Sequence, residues 1–121
     1  MQFERDQTHP LFIRARRVCL DQNLREQKSE NITSYFAREG GVCYLRIKNG
    51  ALIIGLFRGA ALQAEYPFLT GKGKVLRQWI VQDTLDETLL NELIEKTVIL
   101  NIEAEEKRRF RCRSKPASQS D

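Results

Sequence analysis

Apolar residues recur along the chain with two periods, and each change of period marks a new element. Between Thr8 and Asn23 the apolar positions Leu11, Phe12, Ala15, Val18 and Cys19 fall at helical spacing. Thr8 is the expected N-cap, and Pro10 fits the first turn, where its missing N–H has no helical partner. The opposite face is basic, with Arg14, Arg16 and Arg17. Residues 24–30 are largely polar and read as a connector, with room for a turn of helix.

The period then drops to two. Asn31 to Ala37 carries Ile32, Tyr35 and Phe36 and is broken by Gly40-Gly41. Val42 to Lys48 alternates Cys43, Leu45 and Ile47 against Tyr44, Arg46 and Lys48, the pattern of a half-buried strand. Ala51 to Phe57 is apolar on both faces, as in a central or doubly covered strand. Between these two runs lies Asn49-Gly50, whose residues tolerate the positive φ angles of a type I′ turn, so the pair predicts a hairpin. Gly59 to Gly73 reads as a longer connection tucked down by Leu62, Tyr66, Pro67, Phe68 and Leu69. Val75 to Gln82 is a further strand, with Arg77 and Trp79 on one face and Gln78 and Ile80 on the other.

A second helical stripe follows, made of Leu85, Leu89, Leu90, Leu93, Ile94, Thr97 and Val98, with Thr84 and Glu87 spaced as a capping box. Asp86, Glu87, Glu92 and Glu95 line its solvent side. Both helices have an apolar stripe to bury, and the sheet is the only surface available for it. The expected fold class is therefore α+β: a two-layer α/β sandwich, with an antiparallel sheet of about 4–5 strands flanked by an N-terminal and a C-terminal helix. The 121 residues fit one domain, residues 1–106, followed by a basic, flexible tail over 107–121.

Charge changes the picture only when it is divided. The chain is formally +4, but residues 107–121 carry +5 and the first 106 residues carry −1. A basic tail of this kind binds phosphate backbones nonspecifically, with affinity that collapses as salt rises, so nucleic acid is expected as a partner only through the tail. The longest apolar stretch, Ala51 to Phe57, is far short of the roughly 18 residues that span a bilayer, and Met1 to Asp6 has no signal-peptide core. No membrane partner is expected. Cys19, Cys43 and Cys112 are too few and too widely spaced for a disulfide framework or zinc knuckle, and they fit a reduced cytoplasm.

The run Gly41-Val42-Cys43-Tyr44-Leu45, then Gly55-Leu56-Phe57-Arg58-Gly59-Ala60, then Gly71-Lys72-Gly73-Lys74-Val75-Leu76-Arg77 resembles the YdhG-like family, mostly catalogued as a domain of unknown function. The order of elements agrees, from His9-Pro10 to Asp86-Glu87-Thr88-Leu89-Leu90, and the resemblance spans residues 8–103. Where relatives carry a Trp-x-x-Pro segment ahead of the sheet, this chain has Ile32-Thr33-Ser34-Tyr35-Phe36. The resemblance implies an antiparallel sheet with helices on one face. One relative is regarded as a frataxin-like iron chaperone that supplies iron for cluster and haem assembly.

Three chemistries compete. Arg58 and Gly59, with Gly71, Lys72, Gly73, Lys74 and Arg77, combine glycines that let backbone approach a ligand with cations that grip an anion. They are the candidate site for a small anionic or phosphorylated ligand. The spacing is not a Walker loop, and the ordinary alternative is a glycine-punctuated turn with solvated lysines. Iron handling is the alternative function and would use the oxygen ligands Glu92 and Glu95, three residues apart on one helix. Against it, the first helix is basic where frataxins carry an acidic ridge. Catalysis has no constellation: His9 is the lone histidine, and no GxSxG elbow exists. The expectation is a cytoplasmic, non-enzymatic binding or accessory domain, monomer or homodimer, requiring no cofactor, with iron as cargo under the alternative.

Overall fold

In the computed structural model, which describes residues 7–119, the first helix begins one residue later than expected. The N-cap of α1 (Pro10–Asp21) is His9 and not Thr8: its Nδ1 accepts from the Leu11 N–H at 3.2 Å, doing what a Ser or Thr oxygen does elsewhere. The helix ends in a Schellman arrangement. Asn23 adopts φ 61, Asn23 N–H bonds Leu20 C=O at 3.0 Å, and Leu24 N–H returns to Cys19 C=O at 3.3 Å. That reversal feeds the chain directly into β1 (Arg25–Lys28), a strand where a connector was expected.

Four more strands follow: β2 (Thr33–Ala37), β3 (Gly40–Lys48), β4 (Ala51–Leu56) and β5 (Arg77–Val81). All pairings are antiparallel, and the order across the sheet is β1-β2-β3-β4-β5. Gly40-Gly41 therefore opens β3 instead of merely breaking β2. The expected hairpin is present, with Lys48 opposite Ala51 and positive φ at Asn49 (53) and Gly50 (78). A single turn of helix, α2 (Gly59–Leu62), lies inside the long connection before β5.

The last helix, α3 (Glu87–Gln119), is capped by Asp86 and not by a Thr84–Glu87 box. Asp86 Oδ1 accepts from Leu89 N–H at 3.0 Å, and its C=O accepts from Leu90 N–H. Leu85 and Leu90, both buried, hold the positions of a hydrophobic staple across that cap. The helix backbone continues well past residue 106, the expected boundary of the domain. Residues 1–6, Ser120 and Asp121, and the side chains of residues 112–119, Cys112 among them, lie outside what the structure describes.

Both long helices pack on one face of the sheet. Phe12, Ala15 and Cys19 of α1 and Leu90, Leu93 and Ile94 of α3 enclose the core with Tyr35, Cys43, Leu45, Leu52, Ile54 and Leu56. Gln22 Nε2 bonds Asn91 Oδ1 at 2.9 Å, tying the two helices together. The other sheet face carries Arg25, Phe36, Tyr44, Arg46, Ile53, Gln78 and Ile80. Tyr44 lies flat across Gly55, where a Cβ would collide with its ring, and its hydroxyl accepts from Gln78 Nε2 at 2.7 Å. No helix of the described residues is long and apolar enough to cross a membrane.

Candidate anion site around Arg58

The end of β4 sets the position of Arg58. Phe57 N–H bonds Val42 C=O at 3.0 Å, and the next residue turns out of the sheet to cap the single turn of α2. The Arg58 side chain then crosses to α3, where its Nε donates to Asn101 Oδ1 at 2.7 Å. Asn101 is buried, and its Nδ2 donates to Gly41 C=O at 2.9 Å. One amide thus joins β3, the β4–α2 corner and α3. A buried amide with both ends satisfied specifies this geometry, since losing either bond would leave an unpaired polar group.

Around this junction lies an open concavity of about 470 Å³, bordered by Phe36, Phe57, Val75, Gly41 and Glu39 as well as Arg58 and Asn101. The Arg58 side chain makes no other hydrogen bond or ion pair among the described residues, so both its Nη groups are unengaged. A guanidinium held at Nε and open at Nη presents an end-on fork of donors suited to carboxylate or phosphoryl oxygens.

The glycine–lysine loop is arranged differently. Arg77 Nε donates to Gln63 Oε1 at 2.9 Å, and its Nη1 donates to Gly73 C=O at 2.5 Å and Leu76 C=O at 2.8 Å. Arg77 therefore braces its own loop. Gly59 packs on the Arg77 stem so closely that any Cβ there would overlap it, and Gly71, at φ 131, sits beside the same stem. Lys72 and Lys74 are exposed and have no partner among the described residues. The structure thus brings Gly59, Gly71, Gly73 and Arg77 together. Arg58 turns instead to α3, and the loop reaches the Arg58 concavity through Val75.

The two carboxylates considered for iron have separate surroundings. Glu92 accepts from the Tyr66 hydroxyl, beside the Lys96–Glu65 ion pair at 2.5 Å. Burial and that hydrogen bond to Glu92 push the Tyr66 hydroxyl pKa up. Glu95 borders a different hollow, near Gln22 and Val98. No group of three or more His, Cys, Asp or Glu side chains that could hold a metal occurs among the described residues.

Two polar constellations have no counterpart among the sequence expectations. One is Asn101, whose signal is a polar residue continuing the apolar stripe Leu93, Ile94, Thr97 at helical spacing. The other is Glu26, gripped by Arg16 through two bonds (2.7 and 3.1 Å) and by Tyr35 Oη at 2.8 Å. Burial works against the Glu26 charge, but the Arg16 and Tyr35 bonds outweigh it and hold the pKa below the ordinary carboxylate value. The same burial, reinforced by Glu26, drives the Tyr35 hydroxyl pKa far up.

Fold and site together define a two-layer α+β protein with an arginine-headed concavity at the end of its sheet. No protein family, no curated protein and no solved structure matches the chain, and the YdhG-like resemblance rests on the motifs quoted above.

Proposed function

We propose that this chain is a non-enzymatic binding or accessory domain of the YdhG-like type, holding a small anionic ligand through Arg58. The observation that carries the reading is the posture of Arg58: Nε fixed by buried Asn101 at 2.7 Å, both Nη groups open, in a concavity of ligand size. Fixing the guanidinium beforehand lowers the entropy lost when a carboxylate or phosphoryl group docks on it. Phe36 and Phe57 offer apolar contact for the body of the ligand. Glu39 on the rim repels negative charge, so an anionic head would have to seat on the Arg58 fork away from that carboxylate. Lys72 and Lys74, exposed on the neighbouring loop, add long-range attraction. Cys19 and Cys43, adjacent free thiols, suit a reducing compartment such as the cytoplasm.

The test is a titration of phosphate, sulfate and nucleotides followed by ¹⁵N–¹H spectra. Saturable shifts at Arg58 Nε–H, Gly40 and Gly41 are expected, and R58Q should remove them while leaving the remaining spectrum in place. Unmoved signals at Arg58 and Gly41 sink the reading. The iron alternative would have to recruit Glu92 away from Tyr66. Anaerobic calorimetry with ferrous iron tests it separately.

A further inference from the structure

Asn101 is the last buried residue of α3 among the described side chains, and the following stretch from Ile102 to Arg111, about 15 Å of helix, buries none. At the point of departure Ile99 and Ile102 stand 53% and 37% exposed, less than a turn apart. Two hollows run along this side of the helix and share Arg38 as a wall. One, of about 500 Å³, is lined mostly by apolar groups including Leu24, Val98 and Ile99; the other, of about 140 Å³, is lined by Ile102, Glu105, Glu106 and Arg109. Together they form a trough beside α3 with an apolar end and a charged end.

Charge identifies the occupant. From Glu87 to Glu106 the helix carries six glutamates and one lysine, and from Lys107 to Lys115 it carries six cations and no acid. Two such helices side by side in parallel would set like charges against like. In antiparallel they set each acidic stretch against the basic stretch of the other, which is the self-complementary surface an isologous dimer requires. The open sheet face cannot do the same: its strands present Arg25, Arg46 and Lys48 and no carboxylate, so two copies face to face would repel.

We infer that two copies of this chain pair antiparallel through the outer face of α3, with the two-fold axis near Ile102. Ile99 and Ile102 then form the dry centre. Glu95 and Arg109 each lie seven residues from Ile102, so each Glu95 meets the partner subunit's Arg109 at one rim. Within one chain Arg109 Nη2 bonds Glu105 Oε1 at 2.8 Å, an exposed pair that exchanges readily for an intermolecular one. Spanning about four helical turns, the contact is at the small end of specific interfaces and gives a weak dimer.

Sedimentation equilibrium on the full chain tests this, over about 1–500 µM protein, the range in which a weak dimer dissociates. The wild type should reach dimer mass and no higher, less readily as salt rises. I102K should leave it monomeric with an unchanged circular dichroism spectrum. E95R and R109E should each raise the dissociation constant about 3–10-fold, since exposed pairs are weak individually but occur twice here. The double reversal E95R/R109E should restore the dimer. A wild type that stays monomeric throughout, a dimer that survives I102K, a larger assembly, or a folded double variant no better than the single ones overturns the proposal.

Discussion

Cys19 and Cys43 place their sulfurs 3.7 Å apart, one on α1 and one on β3, both fully buried in the core. The contact with Cys43 and burial both push the Cys19 thiol pKa well up, so the thiolate that reacts with electrophiles is suppressed. In a C112S background, both thiols should be inert to a disulfide reagent in native protein and react together on unfolding. Fast labelling under native conditions would show that α1 opens readily from the sheet. A second prediction concerns Glu26. Its pKa is lowered on folding, so its contribution is complete above the unfolded carboxylate value and is lost as pH falls through the folded one. E26Q should therefore cost about 1–2 kcal/mol at pH 7, discounted for the partial exposure of Arg16. In urea denaturation the gap to wild type should narrow progressively as the pH falls below the ordinary glutamate value of about 4.3. A gap that persists unchanged in acid would mean that packing, and not charge, is what Glu26 supplies.

At the scale of elements, what can be read from sequence depends on how local its cause is. The β3–β4 hairpin is legible because Asn49-Gly50 supplies the positive φ angles itself. Strand β1 is not legible: Arg-Glu-Gln-Lys has no apolar alternation, and it is a strand because Asn23 reverses α1 and because Glu26 finds Tyr35 and Arg16 across space. The candidate site divides in the same way. Arg58 and the glycine–lysine loop stand out in the sequence, whereas Asn101, which positions Arg58, lies 43 residues away on another element. The caps show a finer failure, since Thr84 and Glu87 satisfy the box pattern while Asp86 makes the bond. D86A should cost about 1 kcal/mol and T84A close to nothing, because only the former leaves the Leu89 N–H without its acceptor. Thermal melts of the two variants check this, and equal losses would return the cap to Thr84.

At the scale of the molecule, the net charge of +4 belongs to one end of one helix. The first 106 residues carry −1 and the last fifteen +5, and among the described side chains the last buried one of α3 is Asn101. Core and basicity therefore occupy different lengths of the same element and can be separated by truncation. Ending the chain at Glu106 removes no side chain described as buried. It costs about 0.3–1 kcal/mol at most, by taking favourable cations from the helix C-terminus and leaving a carboxylate there. Polyanion binding should behave oppositely. With up to six cations engaged, binding of single-stranded DNA by the full chain should weaken with a log–log salt slope of magnitude up to about 4, and the truncated chain should not bind measurably. Filter binding at several salt concentrations, paired with a thermal melt of the truncated protein, measures both halves. If the truncated chain still binds with the same slope, the cations of the body, Arg25, Arg46 and Lys48 on the open sheet face, are the polyanion surface and the end of α3 is not.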